Sequence, residues 1–463
     1  MIRVFRVSIP DSVIALLFSD AILLYTCFVI AAFLMLDVDP VVFLRYDDGW
    51  ARFAMVALFV MAGLYFHDLY TDFRVKSKAV LVQQVGVSVG VAFLFEALLV
   101  YLGLQDLFVP TWLMIVGGAL ALVLIPLWRV FYGRVAFRAV GSERVLLLGA
   151  SALIQDICAY WGEHPETGLR AIGCLDDSMG DSSIQGVPLL GTIAEVGSVV
   201  ERLRPARIVV GMTERRNRLP IDQLLDLRLA GIQIEEAAAT YEATFGRVST
   251  RELRPAQLIF SSDLGPNPKR VMLQSIYSWS IALVLALATA PLMLLVAIAV
   301  KLTSRGTVLF RQQRAGRNGV PFTLYKFRSM IQNAERRSGA VWASKDDPRI
   351  TGLGRWLRRL RLDELPQLFN VLKGDMSMVG PRPERPEFVA ELEKRIPFYR
   401  QRHCVKPGIT GWAQINHKYG DTIEDTIAKL EYDLYYIKNL APALDALIMF
   451  HTAKVMLLSR GSQ

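Results

Sequence analysis

Cysteine and histidine are scarce in this sequence. Its 463 residues include four cysteines with no C-x-x-C pair, and its five histidines do not cluster with them at the spacing of zinc ligands. Internal repeats and low-complexity tracts are also missing from the sequence. These absences exclude a zinc-finger or disulfide-rich framework and predict a reduced, zinc-free protein.

Charge is missing from several long stretches of the chain. Hydrophobic residues make up 53% of the sequence and charged residues 21%, and the mean hydropathy is +0.34. Such values exclude disorder and indicate that apolar and charged segments are segregated. The net charge of +9 suits anionic lipid, a phosphorylated substrate or nucleic acid equally well, so charge alone identifies no partner.

Four apolar runs predict a transmembrane helical bundle over residues 1–138. They cover about 13–36, 51–66, 79–102 and 111–131, each close to the ~20 residues that cross a bilayer. Basic clusters before the first run and after the second and fourth alternate with acidic loops at 37–48 and 105–106. The positive-inside bias therefore predicts that both ends of this bundle face the cytoplasm.

Residues 139–262 have the pattern of a Rossmann-like α/β domain. Short aliphatic runs alternate with helical stretches, as in a parallel sheet, at 145–151, 171–177, 207–211 and 231–235. The turn Gly149 to Ser151 and the acids Asp176 and Asp177 resemble a dinucleotide-binding fingerprint without its later glycines. We interpret the domain as a regulatory module that contributes to homodimer assembly, and dinucleotide binding remains the alternative.

Residues 271–300 contain no charge and are flanked by Lys269, Arg270 and Lys301. Basic residues on both sides favour a cytoplasmic location for both ends. Pro291 removes a backbone hydrogen bond and kinks a helix. The segment is therefore predicted to be a re-entrant membrane helix, and a kinked spanning helix is the alternative.

The segment 355–383 carries most of the chemistry-bearing residues. Asp363 and Glu364 follow four arginines, and Arg355, Arg359 and Asp363 would share one helix face. Guanidinium groups at a helix start bind phosphate, and carboxylates there need either a divalent cation between them and the anion or a role in attacking it. The alternative is a solvated surface of ion pairs.

The region from about residue 270 to the end resembles the bacterial sugar transferase family, the monotopic phosphoglycosyl transferases. The similarity lies in five ordered motifs, which span residues 313–322, 326–330, 363–368, 374–383 and 406–416. With the four N-terminal helices and the α/β domain, the whole chain is similar to the long polyprenyl-phosphate galactose or glucose phosphotransferases of exopolysaccharide and O-antigen synthesis. Residues 263–463 would then form an α+β catalytic domain that carries the re-entrant helix.

The resemblance implies a reaction and roles for particular residues. Asp363 would attack the β-phosphate of a UDP-sugar and expel UMP, and undecaprenyl phosphate would then accept the sugar phosphate. Glu364 would position or activate the pair and help to handle Mg²⁺, the expected cofactor, for which Asp363 would be the protein ligand. Basic and polar residues would bind the substrates and their phosphates: Lys326, Arg328, Arg358, Arg382, Gln414 and Lys418.

The same resemblance places the protein in the bacterial inner membrane, with its active site on the cytoplasmic face. Membrane lipid and a second copy of the chain are expected partners, and nucleic acid is not. The sugar stays open, because relatives handle galactose, glucose and N-acetylated sugars.

Two other functions are alternatives to sugar-phosphate transfer, and the C-terminal stretch has two structural interpretations. Membrane nucleotide-sugar dehydratases need a Tyr-x-x-x-Lys pair, and no tyrosine in this chain has lysine four residues later. A non-catalytic polysaccharide-assembly scaffold disagrees with the intact Asp363–Glu364 pair. The last stretch, 444–458, is consistent with an interfacial helix or with a helix that packs on its own domain.

Overall fold

The structure is a computed structural model that describes residues 2–4, 7–9, 11–36, 39–67, 69–70, 78–103, 108–133, 142–177, 183–212, 219–251, 253, 267–332, 347, 349–417 and 422–457. The chain forms two compact units, one made chiefly of residues 8–235 and the other of residues 236–463. A two-stranded sheet of β1 (Ile2–Val4) and β2 (Val7–Ile9) precedes the first helix.

The N-terminal part of the first unit is a bundle of apolar helices. They are α1 (Asp11–Met35), the short α2 (Pro40–Tyr46), α3 (Gly49–Phe66), α4 (Lys78–Tyr101) and α5 (Thr111–Phe131). All but α2 are long and apolar enough to cross a membrane. The expected apolar helices are confirmed at the N-terminus, and the sequence reading missed α2.

One basic residue of this bundle lies inside it. Arg129 pairs with Asp20 and donates a hydrogen bond of 2.7 Å to the Leu69 carbonyl. Tyr70 also donates to Asp20, over 3.0 Å. Arg129, which the sequence pattern assigned to the basic cluster after the fourth apolar run, therefore neutralises a buried carboxylate instead.

The second part of the first unit is a parallel α/β sheet, as predicted. Its elements are β3 (Glu143–Leu148), α6 (Ala152–Glu163), β4 (Leu169–Leu175), β5 (Leu189–Gly191), α7 (Val196–Leu203), β6 (Arg207–Val210), α8 (Ile221–Leu229) and β7 (Gln233–Glu236). The strand order is β5-β4-β3-β6-β7, with β3 parallel to both of its neighbours. This order corresponds to 3-2-1-4-5 of the six-stranded Rossmann order 3-2-1-4-5-6, and only β5 was not anticipated from the sequence.

The two acids of the partial fingerprint accept hydrogen bonds from main-chain amides, one of them at the glycine turn. Gly149 has φ +89°, a conformation that favours glycine. The next amide, that of Ala150, donates to Asp176 Oδ2 over 2.6 Å, and Asp177 Oδ1 accepts from the Ile193 amide over 2.9 Å. Both acids of the partial fingerprint therefore bind backbone amides of this domain.

The second unit contains one long apolar helix and the elements around it. They are α9 (Ala237–Phe245), α10 (Pro268–Thr303), β8 (Leu309–Ala315), β9 (Pro321–Phe327), α11 (Gly352–Arg359), α12 (Gln367–Lys373), β10 (Ser377–Val379), α13 (Pro386–Arg395), β11 (Gly408–Thr410), α14 (Trp412–Asn416), α15 (Ile423–Lys438) and α16 (Pro442–Leu457). Strands β8 and β9 pair antiparallel, and β10 pairs in parallel with β11.

Helix α10 is one 36-residue element that continues through Pro291. Its first half is anchored to β10, because Gln274 donates to the Val379 carbonyl over 3.2 Å and Ser278 Oγ accepts from the Met378 amide over 3.3 Å. Its last turns pack against Phe327 of β9 and Leu357 of α11. Both halves of the apolar helix therefore contact the same folded unit.

Helix α16 packs on its own domain. Leu444 and Ile448 are fully buried in the core of the second unit, and Asp445 accepts a 2.8 Å hydrogen bond from Gln274. Of the two readings of 444–458, this one describes the observed packing.

Residues 237–251 belong to the second unit, although the sequence placed the domain boundary at 262. Val248 is buried in its core, and its amide donates to the Glu431 carbonyl over 3.1 Å. Glu242 pairs with Lys438 at 2.8 Å. Trp412 Nε1 donates to the Gly246 carbonyl over 2.7 Å. A short amphipathic helix after a sheet carries no local signal that tells which domain its apolar face will cover.

This packing predicts different stabilities for two truncated chains. A chain starting at residue 263 loses Val248, worth about 1.5–3 kcal/mol when fully buried, and the hydrogen bond to Trp412, worth about 1 kcal/mol. We expect it to melt roughly 10 °C below a chain starting at Glu236, since ~1 kcal/mol shifts the melting temperature of such a domain by ~2–4 °C. Thermal melting in detergent compares them, and equal melting temperatures would contradict the boundary at Glu236.

Candidate active site

The Asp363–Glu364 pair lies on a short turn between two helices. Helix α11 ends at Arg359, Arg361 takes a left-handed conformation with φ +53°, and a 3₁₀ turn follows over Leu362–Glu364. Helix α12 then begins at Gln367, directly after Pro366. The expected single helix face shared by Arg355, Arg359 and Asp363 is therefore wrong for Asp363, because the helix ends at Arg359 and Arg361 takes a left-handed conformation.

Helix α12 fixes this turn against strand β9. The fully buried side chain of Asn370 accepts from the Tyr325 amide over 3.1 Å and donates to the Thr323 carbonyl over 2.7 Å. Its amide thereby acts as a bridge between helix and strand, and it holds Lys326 of the same strand beside the acidic pair. No local sequence pattern indicates this role, because the two partners lie 45 and 47 residues away along the chain.

Asp363 is a buried and unpaired carboxylate. Only 7% of the residue is exposed, and within the described ranges its oxygens accept no hydrogen bond. Burial raises the pKa of Asp363, and the neighbouring charge of Glu364 adds to the rise, while Lys326, Arg358 and Arg382 oppose it. The group is thus surrounded by positive charge and remains available to react.

Glu364 is held as an anion by two cations. Its Oε1 accepts from Lys326 Nζ over 2.7 Å and from an Arg382 guanidinium nitrogen over 3.1 Å. Burial acts to raise the pKa of Glu364, but Lys326 and Arg382 outweigh it and hold the pKa below the ordinary range. The two adjacent carboxylates therefore differ, one ion-paired and one without a partner, as is typical of paired acids with separate roles.

The other predicted basic residues divide into two groups. Arg358 donates to Ser329 Oγ over 2.8 Å and lowers the pKa of Asp363, so it belongs to the site. Arg328 instead donates to the carbonyls of Ser304 and Arg305 over 2.8 and 3.0 Å. Its guanidinium thus closes the turn that follows α10, and the described contacts bring it to no carboxylate of the site.

Two further predicted residues do not join the acidic pair. Gln414 Nε2 donates to the Ile409 carbonyl over 3.4 Å, so its amide faces β11. Gln414 makes no hydrogen bond to Asp363 or Glu364 in the described part of the chain. Lys418 lies outside the described residues.

Few side chains of the site could hold a divalent cation. Among the described residues, no group of three acids, histidines or cysteines is arranged to bind a metal ion. Mg²⁺ commonly uses one or two carboxylates together with substrate phosphates and water, so an all-protein cage is not required. The unpaired Asp363 carboxylate fits that donor set, whereas Glu364 is already occupied by Lys326 and Arg382.

The second unit thus combines a helix long and apolar enough to cross a membrane with a pair of adjacent acids that lies among cations. Two family models match the chain: "Bacterial sugar transferase" over residues 269–459 and "CoA-binding domain" over residues 65–218. The first match contains the whole site described above.

Three curated relatives extend this result. The chain is 44% identical over 235 residues to a UDP-N-acetylgalactosamine-undecaprenyl-phosphate N-acetylgalactosaminephosphotransferase of Aeromonas hydrophila, covering 51% of this chain and 55% of the relative. It is 34% identical over 331 residues to an undecaprenyl-phosphate glucose phosphotransferase of Komagataeibacter xylinus, covering 69% of this chain and 60% of the relative. It is 34% identical over 370 residues to a UDP-glucose:undecaprenyl-phosphate glucose-1-phosphate transferase of Xanthomonas campestris pv. campestris, covering 78% of this chain and 76% of the relative.

The chain belongs to the bacterial sugar transferase family. The similarity spans 55% and 60% of the lengths of the first two relatives and about three quarters of the third. The family expected from the sequence motifs is thereby confirmed.

Proposed function

We propose that this protein transfers a sugar 1-phosphate from a UDP-sugar to undecaprenyl phosphate, as the first membrane step of exopolysaccharide, O-antigen or capsule synthesis. The observation that carries the proposal is the contrast within the acidic pair. Asp363 is buried without a partner, while Glu364 beside it is fixed by Lys326 and Arg382. The three relatives, named for transfer to undecaprenyl phosphate, support the same reaction class.

The reaction proceeds in two displacements at phosphorus. A carboxylate oxygen of Asp363 forms a bond to the sugar-bearing phosphorus, and the bond from that phosphorus to the bridging oxygen breaks as UMP leaves. A phosphate oxygen of undecaprenyl phosphate then attacks the aspartyl phosphate, which releases the Asp363 carboxylate and yields the diphosphate-linked sugar. Lys326, Arg358 and Arg382 offset the negative charge that gathers in both steps.

Mg²⁺ is the proposed cofactor, with Asp363 as its protein ligand. A bound divalent cation would offset charge on the diphosphate. The side chains supply the rest: Arg358 and Arg382 hold phosphate oxygens, and Lys326 keeps Glu364 ionised beside the nucleophile.

A re-entrant course of α10 is the proposed membrane topology. It is supported by the anchoring of both halves of α10 to one folded unit and by the basic residues at each end. A re-entrant helix holds the site at the depth where a lipid phosphate and a water-soluble nucleotide sugar can meet. The active site then lies on the cytoplasmic face of the inner membrane.

We also propose that the functional protein is a homodimer and that the α/β domain contributes to its assembly or regulation without a cofactor. The absence of a cofactor from this proposal is supported by Asp176, whose carboxylate accepts from the Ala150 amide beside the glycine turn. That carboxylate occupies the backbone donor and would repel a phosphate there. The mass of the detergent-solubilised protein, corrected for bound detergent, tests the dimer. A monomeric mass would contradict it.

The proposed reaction is tested by incubating the purified protein with undecaprenyl phosphate, Mg²⁺ and a panel of UDP-sugars. UDP-glucose, UDP-galactose and their N-acetylated forms span the sugars under consideration. We expect UMP from at least one donor together with a lipid-linked diphosphate sugar. Absence of UMP with every donor, in a protein that melts cooperatively, would contradict the reaction.

The acid pair predicts how the rate responds to pH. Asp363 must be ionised to attack, and its raised pKa means that kcat/KM rises with pH through a value above the ordinary aspartate range. We call the rise of kcat/KM at low pH the acid limb of the pH profile. Lys326 lowers the pKa of Asp363, so Lys326→Met should move the acid limb to higher pH. Glu364→Gln removes a repelling charge and should move it to lower pH.

The position of the acid limb is the measured quantity in this experiment, whatever the residual rate, because both variants also weaken the site. The apparent value belongs to the coupled pair of carboxylates. A limb at the wild-type position in both variants would contradict the assignment of Asp363 as the ionising nucleophile.

A further inference from the structure

The loop that carries Arg382 is held by a hydrogen bond to each of four successive carbonyls. The donors come from three separate parts of the second unit. The pairs are Gly408 N to Pro381 O at 3.0 Å, Arg402 to Arg382 O at 3.1 Å, Arg314 to Pro383 O at 3.1 Å, and Ala315 N to Glu384 O at 2.8 Å. The main chain of a loop bound in this way has little freedom to move, so the Cα positions from which its side chains extend are fixed.

Arg402 differs from the other donors because it is a charged side chain buried in the protein. Only 6% of Arg402 and 2% of its partner Asp433 are exposed, and their charged groups lie 2.8 Å apart. Arg402 also donates to the Tyr399 hydroxyl over 2.6 Å. The planar guanidinium therefore joins a carboxylate, a phenol and a main-chain carbonyl in one fixed arrangement, which a lysine ammonium cannot reproduce.

Burying this ion pair is costly. Burial raises the pKa of the Asp433 carboxyl to about 6, in spite of the opposing effect of Arg402. Apolar residues of similar size often stabilise a fold as well as a buried ion pair does. The hydrogen bond to Arg382 is what an apolar pair at these positions could not supply.

We propose that Arg402, held in place by Asp433, is a positioning residue for the transfer reaction. By fixing the main chain of Arg382, it places the Arg382 guanidinium 3.1 Å from Glu364 Oε1, beside Asp363. Arg402 acts through Arg382, since its own described contacts are with Tyr399, Asp433 and the Arg382 carbonyl. The inference rests on the proposed function, and it assigns a role to a part of the domain that the family motifs do not include.

Arg402→Gln alone would leave Asp433 buried without a counterion and could unfold the domain. The paired replacement Arg402→Met with Asp433→Leu removes both charges and puts apolar side chains in their place. We expect this variant to melt close to wild type. Its kcat for UMP release should fall on the order of 10²-fold, the cost of a misplacement of about 1 Å, with little change in KM. Wild-type kcat in a variant that melts like wild type would overturn the proposal.

A matched control replaces another ion pair of the same unit. Lys438→Met with Glu242→Leu removes a 2.8 Å pair that does not touch the Arg382 loop, and kcat should stay at the wild-type value. In an Arg382→Ala background, the Arg402 and Asp433 replacements should cause no further loss. Losses that multiply would show that Arg402 acts independently of Arg382, and this would also overturn the proposal.

Amide hydrogen exchange of Gly408 and Ala315, whose amides donate to the Pro381 and Glu384 carbonyls of this loop, supplies a readout that needs no substrate. The paired replacement should speed exchange at these two amides, while exchange in α15, away from Asp433, stays unchanged. Unchanged exchange at both amides contradicts the role of Arg402, whatever the activity. Absence of UMP from wild-type protein contradicts the proposed function and leaves the exchange result to decide the positioning role.

Discussion

Asp363→Asn is expected to abolish UMP release. The amide is nearly the same size as the carboxylate and keeps the buried position, but it carries no charge and cannot form the bond to phosphorus. Loss of a nucleophile typically costs on the order of 10⁴–10⁶ in kcat. Intact-mass measurement after incubation with an accepted UDP-sugar should reveal a sugar-phosphate adduct on wild type and none on Asp363→Asn.

Two comparison variants separate a lost nucleophile from a damaged site. Glu364→Gln should retain traces of activity, because Glu364 is ion-paired and does not form the bond. Asp375→Asn changes an acid of the same unit that pairs with Lys373 at 3.2 Å and should behave as wild type. Turnover by Asp363→Asn comparable to wild type would rule out the covalent intermediate and with it the central step of the mechanism.

The second large effect concerns membrane topology, for which we expect residues on both sides of α10 to be cytoplasmic. Single cysteines at Pro268 and Thr307, in protein whose four native cysteines are replaced by alanine, would report on the two ends. Both positions are exposed, and Pro268→Cys leaves the Asn267 side chain free to cap the helix. An impermeant thiol reagent should label neither site in intact cells and both after the cells are opened.

Pro291→Leu is expected to change this pattern. It restores the hydrogen bond that proline removes and favours a straight apolar segment of thirty residues, roughly 45 Å at ~1.5 Å per residue. That length exceeds a ~30 Å hydrocarbon core and allows the segment to span it. The Thr307 site should then become labelled in intact cells, at least in part of the population.

A positive control comes from the loop between α2 and α3. Asp47 is exposed, and the positive-inside bias places its loop outside, so Asp47→Cys should be labelled in intact cells. Labelling at Thr307 in otherwise wild-type protein would contradict the re-entrant course and would move the active site to the other face.

The acidic pair and the membrane helices could be predicted from the sequence because each depends on neighbouring residues. Asp363 and Glu364 are adjacent, and apolar runs near bilayer length need no partner to be identified. The strands of the parallel sheet were confirmed for the same reason, since their aliphatic runs are local. The helix face expected to include Asp363 was wrong, because the helix ends at Arg359 and Arg361 takes a left-handed conformation.

Among the basic residues, composition could not separate a substrate-binding group from a structural one. Lys326 and Arg328 are two residues apart in one motif, yet Lys326 pairs with Glu364 whereas Arg328 closes a turn on backbone carbonyls. Residues two apart on a strand lie on the same face, but β9 ends at Phe327, so Arg328 lies beyond the strand and finds other partners. Which residues meet the acidic pair depends on where the distant turn at 362–364 docks.

The sequence by itself therefore determined the long apolar helices, the parallel sheet, the family and the adjacent acid pair. Only the tertiary structure decided that Glu364 is bound by Lys326, that residues 237–251 join the second unit, and that Arg402 holds the Arg382 carbonyl. Periodicity and adjacent residues act within a few positions of the chain. A buried charge or carbonyl instead takes the partner that the packed chain brings within about 3 Å of it, and that partner can lie anywhere in the sequence.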